Sequence, residues 1–275
     1  MAMNSIRRKL AIRTWSAPRE GNIYGKLTLN AEPALEYLAE LRERTGHKVT
    51  ITHFVGKAVA MALAASPGLN GRILWGKYIP HETVDVSYLV VLEDGGDLAK
   101  AKIHNLDKKP MEEVAVELRE LATKLRKGKD KEFEATKSTL KLIPGFLIRP
   151  LLWITGWLAS SLGMSIKALG VSKFPFGGAI ITSVGMFGLD EGFVPPTPFA
   201  RVPIYVLVGA INDRPTVVDG EIIIQKQLTI TATLDHRFVD GFEGGRLAKI
   251  VRSVFENPKQ LDAKTEPIDD DVSGD

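Results

Sequence analysis

Cysteine is absent from all 275 residues. That excludes disulfides, thiol nucleophiles and thiolate metal sites, and it fits a reducing cytoplasm. A charge of one sign is also lacking: the net charge is +3, with the basic residues spread along the chain. No basic stripe with interleaved aromatics is present, so nucleic acid is not an expected partner. The opening residues, MAMNSIRRKLAIRTW, lack the apolar core of a signal peptide. The five histidines, His47, His53, His81, His104 and His236, show no ligand spacing such as His-x-x-x-His, so no metal site is expected. Apolar residues nonetheless make up 44% of the chain, enough for the core of one large domain or two small ones.

What is present is organised around Leu228 to Gly245, LTITATLDHRFVDGFEGG. Leu228, Ile230, Ala232 and Leu234 alternate with Thr229, Thr231 and Thr233, which predicts a half-buried strand. Phe242, Leu247, Ile250, Val251 and Val254 then recur at helical spacing. Between them lies the charged turn Asp235-His236-Arg237-Phe238-Val239-Asp240-Gly241. A histidine at a strand end, held by a tight turn, is well placed to aim its ring.

The rest of the chain supplies a frame. Arg7 to Arg13 predicts a short basic helix. Ile23 to Leu29 alternates as a strand. Asn30 is the expected cap, with Pro33 in the first turn, of a helix that carries Leu35, Leu38 and Leu41 and stops at Gly46. Thr52 is the expected cap of a buried helix, Phe54 to Ala65. Val84 to Leu92 reads as a strand, and Glu93 to Lys102 as a charged loop. Pro110 opens a helix striped by Met111, Val114, Leu118, Leu121 and Leu125, closed by Gly128. Ala179 to Val184 and Ile204 to Ala210 read as strands, and Asp219-Gly220 as a hairpin turn. Together these predict an α/β (α+β) two-layer sandwich, one large mixed β-sheet carrying helices. One domain is expected over 1–261, with an acidic, disordered tail over 262–275.

Leu140 to Phe176 stands apart. It holds Phe146, Leu147, Ile148, Trp153, Ile154 and Trp157, and Arg149 and Lys167 flank its longest uncharged run. The run falls just short of the ~18–20 apolar residues that a spanning helix needs. Three readings stand: packing on the protein's own body or a sister subunit, lying on a membrane surface with the tryptophans at headgroup level, or spanning a membrane.

Among the histidines, His47 and His81 sit in polar stretches and are expected to be solvated. His53 and His104 lie near element ends, where local hydrogen bonding is the default. His236 differs through its neighbours. Asp240 falls at the start of the last helix, where a carboxylate caps the helix or holds an arginine, and Gly241 allows close approach. On spacing alone two readings are open: a capped turn with an incidental histidine, or a positioned base.

The residues of that turn resemble the DHR-x-x-DG signature of the acyltransferase component of 2-oxo-acid dehydrogenase complexes, a dihydrolipoamide acyltransferase family related to chloramphenicol acetyltransferase. Other stretches agree in order: Arg7-Arg8-Lys9-Leu10-Ala11, Thr50 to Asn70, Asp107 to Gly128, and Gly178 to Gly188. The resemblance implies a chloramphenicol-acetyltransferase-like fold. It also implies transfer of an acyl group between coenzyme A and a thiol on a dihydrolipoyl arm, or another acceptor. A thiol must lose a proton as it attacks, so a base near neutrality is wanted. By its match to the signature His236 takes that role. The tetrahedral intermediate needs a preorganised donor for its oxyanion. Thr182 occupies the position of the family's hydroxyl, with Ser183 in reserve. Asp240 resembles the aspartate that holds an arginine of the opening helix; Arg8 is the expected partner, with Arg7 and Arg13 open. The resemblance further implies a homotrimer in which His236 of one chain faces Thr182 of the next.

The sequence departs from the family at four places. It shows no lipoyl or subunit-binding domain, so the acyl carrier is expected in trans. The loop from Glu93 is charged where the family reads G-L-x-x-P-V. Residues 140–176 read as an insertion. The acidic tail predicts an isolated trimer and not a hollow core. The alternative to an enzyme is a non-catalytic trimeric assembly protein that docks a partner or membrane through that insertion.

Overall fold

The computed structural model describes residues 21–92, 97–130, 133–136, 138 and 143–262. The stretch expected to form a basic opening helix, with Arg7, Arg8 and Arg13, and most of the acidic tail lie outside the described residues. Asp262, placed in that tail from sequence, instead accepts a hydrogen bond from the Tyr37 hydroxyl at 2.7 Å.

The mixed sheet has six strands. Strands β1 (Asn22–Asn30), β2 (Gly71–Leu74), β3 (Lys77–Pro80), β4 (Val86–Leu92), β5 (Asp97–Ile103), β6 (Ala179–Ser183), β7 (Ile204–Val218) and β8 (Glu221–Asp235) follow in chain order. The large sheet runs β1-β8-β7-β6-β4-β5, and β2 pairs with β3 alone. The contacts of β6 with β4 and β7 are parallel; the other pairings in the large sheet are antiparallel. The β7–β8 hairpin turns at Asp219 and Gly220, whose φ values of 51° and 86° suit a two-residue turn between twisted strands.

Two features depart from the expected frame. The charged stretch after Glu93 is not all loop: from Asp97 it is the edge strand β5. Ala99, Ala101 and Ile103 are buried while Lys100 and Lys102 alternate with them, a period-two pattern concealed by its lysines. The β2–β3 hairpin, turning at Trp75-Gly76, has strands of four residues, too short for periodicity to reveal.

Helices α1 (Glu32–Thr45), α2 (Ile51–Ala64), α3 (Met111–Arg126), α4 (Gly145–Gly156) and α5 (Gly241–Glu256) complete the regular structure. The first three and α5 cover one face of the sheet. Their Leu38, Leu41, Phe54, Leu63, Val114 and Phe255 close on Ile181, Ile204, Val206, Leu228 and Ile230. Helix α2 is buried along nearly its whole length, as a helix enclosed by neighbours should be. Its Lys57 ammonium is buried but satisfied, donating to the carbonyls of Leu106, Asp107 and Lys109 at 2.7–3.0 Å. Burial pushes that ammonium down to about 8.

The caps differ in detail from expectation. Gly46 ends α1 with φ 68°, as predicted. Asn30 accepts from the Glu32 N–H at 3.0 Å, but Ala31 is the cap residue. Thr50, not Thr52, caps α2: its N–H donates to His53 Nδ1 at 2.9 Å. That bond realises the local role expected of His53, with a histidine where a capping box usually has Glu or Gln. His104 behaves similarly, its Nδ1 lying 2.8 Å from the Asp85 carboxylate.

The other face of the sheet overturns the half-buried reading of β8. Thr229, Thr231 and Thr233 are buried as fully as their apolar neighbours. The chain between β6 and β7 folds over them, and the Thr231 hydroxyl donates to the Gly192 carbonyl. Gly209 makes this possible. A Cβ there would sit 1.8 Å from the Asp190 carbonyl oxygen, and β7 bulges at this point, between Val208 and Ile211. A second small core of Ile180, Ala200, Val202 and Tyr205 lies on the same face.

Helix α4 belongs to the segment of residues 140–176. It leads into a widened turn, Trp157–Ser161, and the Trp157 ring packs edge-on against Trp75 at 5.8 Å. Phe146, Trp153 and Ile154 are exposed. Among the described residues no helix is long and apolar enough to cross a membrane, so the spanning reading has no counterpart there.

Candidate active site

The strand–turn–helix predicted for Leu228 to Gly245 is present, with β8 ending at Asp235 and α5 starting at Gly241. Besides backbone bonds such as Phe238 N–H to the Asp235 carbonyl at 2.9 Å, three sets of bonds that involve side chains hold the turn. Asp235 accepts the Arg237 N–H at 3.0 Å, and its carboxylate grips the Arg237 guanidinium through Nε and Nη2. Asp240 caps α5, accepting from the N–H groups of Phe242 at 2.8 Å and Glu243 at 3.1 Å, while Glu243 accepts from the Asp240 N–H at 3.0 Å. These donors, the Glu243 N–H first, hold the Asp240 carboxyl below its ordinary range. Finally, His236 Nδ1 lies 2.8 Å from the Val239 carbonyl oxygen.

That last bond fixes the chemistry of the ring. A carbonyl oxygen only accepts, so Nδ1 carries the proton. The neutral ring therefore presents Nε2 as its free lone pair. His236 is exposed, and with Gly21, Asn22, Pro203 and Tyr205 it lines a groove of about 320 Å³. A thiol reaching Nε2 would find a base that needs no tautomeric change.

Thr182 is half-buried on β6. It pairs with Leu207, and Leu207 with Thr231. Thr182 is thus level with Thr231, which precedes His236 by most of a strand, and it stands two strands away. At about 3.3 Å per residue and about 4.8 Å per strand the two are on the order of 20 Å apart. One chain does not bring the predicted base and oxyanion donor together. Ser183 follows on β6, also half-buried. Gly241 does not serve close approach within the chain, because a Cβ there would meet nothing within 4 Å.

Sequence reasoning missed three contributors. The Val239 carbonyl has no side-chain signal. The Asp235–Arg237 fork was visible as opposite charges two apart in a turn. The segment Pro196 to Val202 forms a wall beside His236 only through tertiary folding. His81 is a correction: it is not solvated but packs edge-on against Phe174 at 4.8 Å. Burial, then Arg72, pushes its ring down to about 4.

The family model of the 2-oxoacid dehydrogenases acyltransferase (catalytic domain) matches residues 2–143 and 167–263. The chain belongs to that family. The match leaves out 144–166, which contains α4. Similar proteins include the dihydrolipoyllysine-residue acetyltransferase component of the acetoin cleaving system of Bacillus subtilis, 27% identical over 86% of this chain and 50% of that one. The dihydrolipoyllysine-residue succinyltransferase component of the 2-oxoglutarate dehydrogenase complex of Escherichia coli is 25% identical over 94% of this chain and 55% of that one. The chain thus spans about half the length of the curated relatives it matches. Among solved structures, a probable dihydrolipoamide acetyltransferase from Listeria monocytogenes shares the fold with a TM-score of 0.68 and 21% identity, covering 98% of this chain and 97% of the other. A truncated catalytic core of the 2-oxoacid dehydrogenase multienzyme complex from Thermoplasma acidophilum follows at 0.62 and 19%, covering 94% and 98%.

Proposed function

We propose that this acyltransferase-family chain moves an acyl group between coenzyme A and a thiol acceptor, with His236 as general base. The observation that carries the reading is the Nδ1–Val239 bond, which makes Nε2 the lone-pair nitrogen of the neutral ring, on a histidine that lines a groove. The attacking thiol gives its proton to Nε2 as its sulfur bonds to the thioester carbon. The resulting oxyanion takes a hydrogen bond from the Thr182 hydroxyl, Ser183 being the reserve donor. As the intermediate collapses, the imidazolium returns the proton to the departing sulfur.

The separation of Thr182 from His236 within one chain supports a homotrimer with sites shared between neighbours. Asp240 and Gly241 support the turn, and Arg8 is the proposed partner of the Asp240 carboxylate. The carrier thiol is that of a lipoyl domain, in the cytoplasm. The test is turnover of acetyl-CoA with dihydrolipoamide by the wild type and by His236→Ala. Loss of about a hundredfold or more is expected for a missing base; equal rates would end this reading.

A second reading keeps one observation of its own. Phe146 and Trp153 of α4 are exposed, within residues the family match leaves out. On that reading the segment of residues 140–176 rests on a membrane surface. Co-sedimentation with liposomes, lost in Phe146→Ser/Trp153→Ser, is expected; binding that survives both changes contradicts it.

A further inference from the structure

Beside the His236 groove lies a larger cavity of about 640 Å³. Val202, Tyr205, Asp235 and Arg237 line both. The far wall is Arg149, Trp153 and Ile154 of α4. Three guanidinium groups border the cavity, those of Arg149, Arg201 and Arg237, against the single carboxylate of Asp235.

That carboxylate is already engaged by Arg237. Arg201 has only the neutral Ser161 hydroxyl, 3.0 Å from its Nη1, and its Nε is buried with no hydrogen-bond partner among the described residues. Its backbone sits in the left-handed region, φ 52°, a conformation that a non-glycine residue holds only when the surroundings impose it. Arg149 makes no ion pair among the described residues. For Arg201, which is half-buried, standing without a countercharge is costly. An anion entering here would relieve that cost through charge-assisted hydrogen bonds, while its apolar stem would cover Trp153 and Ile154.

We propose that this cavity receives the anionic end, carboxylate or phosphate, of an amphipathic thioester substrate whose reacting carbon lies at His236. The thioester half of the statement rests on the acyltransferase reading; the anion site does not. Helix α4 then acts as a selectivity wall, built from residues outside the family match.

The experiment is calorimetric titration of the full chain at low salt with acetyl-CoA, glutaryl-CoA and acetyl-pantetheine. Wild type is compared with Arg149→Gln and Trp153→Ala, whose side chains are exposed and whose fold is checked by melting. Arg149→Gln is expected to weaken an anionic probe about tenfold, the loss of one charge-assisted hydrogen bond. If glutaryl-CoA alone weakens, the anion is the acyl carboxylate. If both coenzyme A thioesters weaken equally and acetyl-pantetheine does not, it is a phosphate. Binding within about twofold of wild type for every probe overturns the proposal, as does wild type that binds none of them. Turnover by wild type with Arg149-independent binding would sink the cavity alone. Arg149-dependent binding by a chain that turns nothing over would sink the catalytic reading alone.

Discussion

The Nδ1–H of His236 donates to the carbonyl oxygen of Val239 across 2.8 Å. The two residues are three apart in one turn, so the bond is local to it, while the His236 backbone N–H reaches out to the Gly21 carbonyl at 3.3 Å. The Nδ1 bond persists only if the turn keeps its shape. Asp235 fixes one end through Arg237 and Asp240 fixes the other as the cap of α5. If the proposed base is aimed by its own turn, activity is tied to helix capping, and the first prediction follows from that coupling.

Asp240→Ala removes the acceptor for the Phe242 and Glu243 N–H groups. It is expected to lower the melting temperature and, by loosening the turn, to lower kcat. Asp240→Asn keeps an oxygen at the cap and is expected to restore most of the stability. Equal melting temperatures for all three chains would contradict the capping role.

Thr182→Ala is expected to reduce kcat by about a hundredfold with little change in KM, as when an oxyanion donor is lost. Thr182→Ser should recover most of the rate. Because Thr182 is half-buried in β6, thermal melts of both variants must match the wild type for the comparison to count. A Thr182→Ala enzyme at full rate would shift the donor role to Ser183.

Much of this site is legible in the order of the amino acids. The strand–turn–helix around His236 shows because Leu228 to Leu234 alternates with threonines and Phe242 to Val254 repeats at helical spacing. The burial of Thr229, Thr231 and Thr233 is not legible. Threonine suits a solvent-facing strand, and the covering segment reaches it only through the Gly209 bulge. Strand β5 is concealed by Lys100 and Lys102. The acceptor for His236 is a backbone carbonyl, which no residue type announces. The partner of His236 in catalysis is proposed to come from another chain, so no reading of one chain's geometry could supply it.

His53 gives a pH dependence of stability. Burial, then Arg42, pushes its ring down to about 4, and its Nδ1 must stay unprotonated to accept from Thr50. The folded value lies below the unfolded one, ~6.5. The unfolded chain therefore binds more protons in this window, and the His53 contribution is full above pH 6.5 and is lost as pH falls toward 4. Roughly 3 kcal/mol of stability should disappear by pH 4 from this group. His53→Gln keeps a capping acceptor and is expected to remove about half of the pH dependence of urea denaturation between those pH values, the rest coming from His81, whose ring is also pushed down to about 4. An unchanged slope would contradict the assignment.

Gly209→Ala places a methyl group against the Asp190 carbonyl. The backbone must move, and a loss of roughly 1–3 kcal/mol is expected from overpacking, measured by urea denaturation. A neutral substitution would show that the segment over the threonine ladder is not held by this contact.

The central claim is that His236 and Thr182 act across a boundary between two copies of the chain. It is tested most directly by mixing His236→Ala and Thr182→Ala chains, unfolding and refolding them together, and measuring acyl transfer. With random mixing around a closed ring, about one site in four joins an intact histidine to an intact threonine. The account predicts recovery of about a quarter of wild-type turnover from two nearly inactive parents. A refolded mixture no more active than its parents would contradict it.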